Sequence, residues 1–212
     1  MKTDDLIEAL VEDRGSPPMA PSRAVLLAVI AGSVLAGLLF VVVLDCRPDI
    51  AQAAQTYRFL FKFVVTLTLA ASAIPLVLQV SRPEAAPGRS LLLIALAPLL
   101  LAGAVVAELI VMPSSTWLPR LIGTNARFCV SMIPLLSIAP LLAFFAALRS
   151  GAPANPGLAG ALAGLSAGAI AATFYASHCT DDSPLFVIMW YPIGIGLVTL
   201  IGYFAGRRWL AW

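Results

Sequence analysis

The sequence predicts an all-α polytopic membrane protein, a bundle of six transmembrane helices with both termini in the cytoplasm. Three observations predict it. The 212-residue chain is 60% hydrophobic and only 11% charged, with a mean hydropathy of +0.96, far from the composition of soluble globular domains. Apolar runs long enough to cross roughly 30 Å of hydrocarbon as a helix recur along it. The basic residues of the connections, finally, divide unequally between two faces.

The first element is MKTDDLIEALVEDRGSPP. Thr3 is placed to cap a helix, Asp4 and Asp5 fall in its first turn where negative charge suits the helix dipole, and Gly15 with Pro17 and Pro18 ends it. Leu6, Ile7, Leu10 and Val11 make one apolar stripe, while Asp5, Glu8, Glu12 and Asp13 take the other positions. A helix this short is marginal alone in water, so something must bury the stripe. The membrane surface is disfavoured, because the inner leaflet is anionic and the segment sets five acids against Lys2 and Arg14. The chain's own inner loops are one alternative. A basic, grooved cytoplasmic protein is the other, accepting the stripe and steered by the acids. Residues 1–22 therefore read as a cytoplasmic amphipathic segment with a Pro-rich linker, and residues 23–212 as the membrane domain.

Spans are expected near 24–44, 59–80, 91–112, 128–148, 158–177 and 185–205. The first 23 residues lack the apolar core of a cleavable signal peptide. With the N-terminus inside, the inner side carries Lys2, Arg14, Arg23, Arg82, Arg89, Arg149, Arg207 and Arg208. The outer side carries Arg47, Arg58, Arg120 and Arg127, with Lys62 just inside the second span. Trp117, Trp190, Tyr191, Trp209 and Trp212 fall at span borders, as interfacial aromatics do. The location expected is the inner membrane of a bacterium, with the lipid bilayer as a direct partner.

Gly160, Gly164 and Gly168, then Gly202 and Gly206, recur every fourth residue and mark close helix approach. Packing within one chain is the leading reading and a homodimer seam the second. Pro75, Pro134, Pro140 and Pro192 fall inside spans, where breaks are tolerated. Glu108 and Lys62 lie at similar membrane depth with opposite sign, and read as an ion pair.

Side-chain chemistry is concentrated outside. The outer loops DCRPDIAQAAQTYR, MPSSTWLPRLIGTNARFC and SHCTDDSPLF hold Cys46, Cys129, Cys179 and the single His178. In an oxidising compartment two such thiols can pair, thiols beside His178, Asp181 and Asp182 can take a soft metal, and isolated cysteines also serve as packing residues. No CxxC pair, nucleophile constellation or Gly-rich phosphate loop is present, so neither an enzyme nor a cofactor is expected. Direct nucleic-acid binding is not expected either.

MKTDDLIEALVED, the CRPD of Cys46 to Asp49, RFLFK from Arg58 to Lys62, and HCTDDSPLFVIMWYP together resemble the NrsF family of six-span bacterial anti-sigma factors, over essentially the whole chain. The resemblance implies that the N-terminus binds an extracytoplasmic-function sigma factor; the stripe and acids of that segment make Asp4, Asp5, Leu6, Ile7, Leu10 and Val11 the expected contact residues. It implies a sensing pair for heavy metals or oxidants at Cys129 and Cys179, and His178, Asp181 and Asp182, by their place beside a thiol, are expected to shape its reactivity. Cys46 looks like an addition to that pair. The rival is a small cation- or proton-coupled transporter built around Glu108, which would want an internal repeat that the sequence lacks.

Overall fold

A computed structural model gives the fold and describes residues 19–82 and 88–211. Six long helices account for the expected spans: α1 (Pro21–Val43), α2 (Tyr57–Val80), α3 (Leu96–Val111), α4 (Ala126–Arg149), α5 (Pro156–Ala176) and α6 (Pro184–Trp209). Each is long and apolar enough to cross a membrane, α3 together with the turn that precedes it. The described residues contain no strand. Hydrocarbon offers no partner to backbone N–H and C=O groups, so a spanning segment must satisfy them within itself.

Local chemistry sets the helix ends. Proline opens α1, α5 and α6, where its missing N–H leaves nothing unsatisfied. Thr56, Asn155 and Ser183 cap α2, α5 and α6 by accepting from the amides of Phe59, Leu158 and Leu185. One span differs from expectation: 91–112 is not a single α-helix. Gly88–Ala95 winds as a 3-10 segment and the α-helix begins at Leu96. None of the 3-10 residues is fully buried; Ile94 packs on the core cluster from its edge.

The Ala- and Gly-rich α5 is the centre of the bundle, flanked by α1, α2, α4 and α6. Its tightest seam faces α6. A Cβ on Gly160 would strike the Gly202 carbonyl, and one on Gly202 would strike the Gly160 carbonyl. The four-residue glycine spacing is thus used inside one chain. Pro140 in α4 meets Gly32 of α1, where a Cβ would stand 2.7 Å from the proline Cα. All four intraspan prolines lie within continuous helices. Peripheral α3 packs chiefly on α2 and α6 and buries only Ala97, Leu101 and Glu108.

Ala24 and Val25 at the start of α1 share a cluster with Leu210 after α6. Both ends of the described chain therefore lie on one face, here the terminal face, and the α1–α2, α3–α4 and α5–α6 connections lie on the opposite, distal face. Tyr191 is not a border residue: it is 2% exposed, because it faces Tyr175 of α5 at 5.9 Å between ring centroids. The indoles of Trp117 and Trp190 donate to the carbonyls of Met112 and Leu121. Trp209 is exposed. Trp212, the expected N-terminal helix and the middle of the RPEAAPGR turn lie outside the described residues.

The seam makes a prediction. Gly202→Leu should destabilise the bundle by about 1–3 kcal/mol or more through overpacking. Gly103→Ala, where an added Cβ meets nothing within 4 Å, should leave thermal unfolding in detergent unchanged or slightly raised. Equal effects of the two substitutions would contradict the packing described.

Candidate functional site

The α5–α6 connection, residues 177–183, is the hub of the distal face. Its backbone turns out of α5 with the Cys179 amide donating to the Tyr175 carbonyl at 3.0 Å. From there its residues engage a different element one after another.

The chain leaving α1 reaches it first. Asp45 turns in the left-handed region at φ 63°, which lays Arg47 along the loop: the Arg47 amide donates to the Ser177 carbonyl at 3.2 Å. His178 Nδ1 sits 2.9 Å from the Asp45 carbonyl oxygen. The Arg47 guanidinium is 7% exposed and is shared in a fork. Nε and Nη2 donate to the two oxygens of Asp49 at 2.6 and 2.7 Å, and Nη1 donates to both oxygens of Asp182 at 3.0 and 2.9 Å. Asp49 holds this guanidinium protonated well beyond its ordinary range, and Arg47 in turn holds the Asp49 carboxyl below the usual carboxylate range.

Lys62 of α2 completes the knot. Its ammonium, on a side chain 1% exposed, donates to Asp182 Oδ1 at 2.6 Å and to the Cys179 carbonyl at 2.7 Å. Phe59 lies under both cations, 5.6 Å from Arg47 Cζ and 5.2 Å from Lys62 Nζ, adding cation–π attraction. The expected Lys62–Glu108 pair is therefore corrected. Arg58, one turn earlier on α2, faces α3 in place of Lys62, and it meets Glu108 Oε1 at 3.3 Å. Arg120 meets the same oxygen at 3.2 Å. Ser183 donates to Glu108 Oε2 at 2.6 Å, and the Leu185 amide lies 3.4 Å from it. A carboxylate so satisfied, at the N-terminus of α6, anchors α3 to the loop.

Asp181 ties the loop to α4. Its Oδ2 accepts from the amides of Thr124 and Asn125 at 2.9 and 2.8 Å and from Asn125 Nδ2 at 3.0 Å, fixing the turn that leads into α4. Gly123 makes the turn at φ 60°, and a Cβ there would collide with Phe186 and the Asp181 side chain. An open polar cleft of about 490 Å³ beside it is lined by Arg58, Arg120, Thr124, Thr180, Asp181 and Asp182 among others.

Beneath this lid lie two of the thiols. Cys129 and Cys179 are free, have no exposed surface, and belong to one buried cluster with Tyr175, Phe186 and Tyr191. Both stand at the distal border where the sequence places them, Cys129 in the first turn of α4 and Cys179 in the connection itself, with their side chains packed inward. Cys179 Sγ lies 3.7 Å from the Asp181 carbonyl. Burial pushes the Cys179 thiol above its ordinary range, against the opposing pull of the Lys62 ammonium. Cys46 is free and exposed. Among the described residues no group of three His, Cys, Asp or Glu side chains is placed to hold a metal ion, and His178, Asp181 and Asp182 are each committed to another partner.

Sequence reasoning missed Arg47 and Asp49 as site residues, and assigned Lys62 to the wrong acid. The readable signal was two cations flanking a span border and tandem acids in a later loop on the same face. Asp4, Asp5, Leu6, Ile7, Leu10 and Val11 lie outside the described residues.

The family model described as negative regulator of sigma F matches residues 10–212. The chain belongs to the NrsF family. This NrsF-family chain is similar over its full length to two named relatives. It is 37% identical to the anti-sigma-F factor NrsF of Caulobacter vibrioides and 33% identical to the probable anti-sigma-F factor NrsF of Azospira oryzae, covering all of each chain. No solved structure matches it.

The buried knot makes the second prediction. Lys62→Ala removes one partner of a desolvated cluster and should cost roughly 3–5 kcal/mol. In the wild-type protein a water-soluble maleimide should label Cys46 and spare Cys129 and Cys179. In Lys62→Ala both buried thiols should label. Prompt labelling of Cys179 in the unaltered protein would refute the lid.

Proposed function

We propose that this chain is an anti-sigma factor of the bacterial inner membrane that sequesters an extracytoplasmic-function sigma factor through a cytoplasmic N-terminus and releases it on a heavy-metal or oxidant signal. The observation that carries the reading is the full-length similarity to two proteins named as anti-sigma-F factors. The N-terminal pattern supports it: an acidic, leucine-striped segment suits a basic partner surface. The terminal face is then cytoplasmic and the distal face, with its cysteines, points outward.

In this reading Cys129 and Cys179 are the sensing pair. Their burial makes them quiescent, since an uncharged thiol is a poor nucleophile and metal ligand. In the state in which the α5–α6 loop has lifted, a thiophilic cation binds the thiols with release of their protons, or an oxidant takes two electrons from them and two protons leave; either draws the population toward that state. Because Asp182, Ser183 and Asp181 hold α2, α3 and α4, lifting the loop loosens those helices together and carries the change across the bilayer.

Two measurements test this. Leu6→Asp with Leu10→Asp removes two stripe anchors, each worth about 1.5–3 kcal/mol when buried. Target genes should switch on while the variant accumulates normally in the membrane, and continued silence would move the partner to another surface. Reporter fusions after Gly151 should report cytoplasm and after Asp182 the outside, and the reverse result would put the cysteines on the wrong face for an envelope signal.

A further inference from the structure

On the terminal face, a cleft of about 430 Å³ opens between the end of α2 and the α4–α5 turn, lined by Pro21, Ser81, Arg82, Arg149, Ser150, Gly151 and Ala152. Its floor is set by backbone, the Ala152 amide donating to the Ser81 carbonyl at 3.3 Å. A Cβ on Gly151 would run into that same carbonyl, so the floor can form only with glycine there. Arg82 and Arg149 are exposed, and among the described residues neither side chain has an ion pair.

The distribution of acids says what fits. The chain has 11 Asp and Glu residues. Every described one, Asp45, Asp49, Glu108, Asp181 and Asp182, belongs to the distal hub or its border. Of the others, Glu84 neighbours Arg82 in sequence, and Asp4, Asp5, Glu8, Glu12 and Asp13 all precede the described chain. That chain enters the bundle at Pro21, which itself lines the cleft. Residues 14–20, extended, reach roughly 24 Å at about 3.4 Å each, so the acidic segment can be laid anywhere across the opening. Tethering makes the encounter intramolecular, with an effective concentration in the millimolar range for a short linker.

We infer that the acidic segment, residues 1–13, docks in the Arg82–Arg149 cleft of its own chain when it is not holding its cytoplasmic partner. The same carboxylates then serve two exclusive destinations, and the docked form is the released state. Each tenfold in docking lowers the apparent affinity for the partner tenfold. The regulatory meaning rests on the function proposed above, whereas the docking itself does not.

The test uses the full chain in nanodiscs of zwitterionic lipid with no partner present, carrying the photo-crosslinking residue benzoylphenylalanine at position 150. Illumination should join position 150 to residues 1–13 within a monomer, as read by mass spectrometry. Capture should fall at least fivefold in Arg82→Gln/Arg149→Gln, a change that leaves the backbone floor intact, and fall likewise between about 0.05 and 0.5 M salt, as a screened ionic contact must. Capture by lipid alone, a crosslinked dimer, or capture indifferent to both changes overturns the docking and leaves the proposed function standing. Efficient capture combined with repression that survives Leu6→Asp/Leu10→Asp moves the partner off the N-terminal segment, overturning that part of the proposed function, and leaves the docking. In cells the double Gln variant should repress at least as tightly as wild type and respond at least threefold less to the inducing stress. Derepression would place both arginines in the partner's contact surface and overturn the inference.

Discussion

Asp182 is the residue on which the arrangement of the bundle depends. Arg47 and Lys62 are desolvated cations that the bilayer border would not tolerate alone, and one carboxylate on the α5–α6 loop answers both. The loop is thereby pinned to the chain after α1 and to α2. Its neighbours Asp181 and Ser183 extend the same logic to α4 and α3. The bundle is closed at the distal face by polar bonds and along its length by the packing of small residues.

The two modes divide the molecule mechanically. Backbone-to-backbone approach between α5 and α6 leaves no room for sliding, since the carbonyls of Gly160 and Gly202 already stand against each other's α-carbons. Peripheral α3 is held differently, by two buried aliphatic residues and the Glu108 anchor. Disturbance of the loop thus meets a stiff pair of helices and one that is tied mainly at its distal end, and motion follows the looser path.

Much of this was legible in the sequence. The spans declared themselves through length and hydropathy, because a membrane leaves the backbone few options, and the Gly160 and Gly202 spacings announced the seam. The partner choice of Lys62 was not legible. Depth along a helix can be counted from sequence, but azimuth between Arg58 and Lys62, a single turn apart, depends on how α2 is rotated against α3 and α5. Arg47 was hidden for a related reason: it sits in an irregular turn whose direction is set by the left-handed backbone of Asp45. Cys129 and Cys179 could be placed at a border, yet a border position does not reveal that a charged loop folds over it.

The knot also bears on biogenesis. Arg47 and Asp182 are 135 residues apart, so at about 5–20 residues per second the ribosome needs about 7–27 s between making the cation and making its counter-ion. During that interval α1 and α2 sit in the insertion machinery with unneutralised charge near the bilayer border, held by Asp49 and by water. The six helices can close only after the last connection has been synthesised. A chain interrupted before residue 182 carries its own mark of incompleteness, a Lys62 ammonium near the bilayer border without the carboxylate that meets it in the finished bundle.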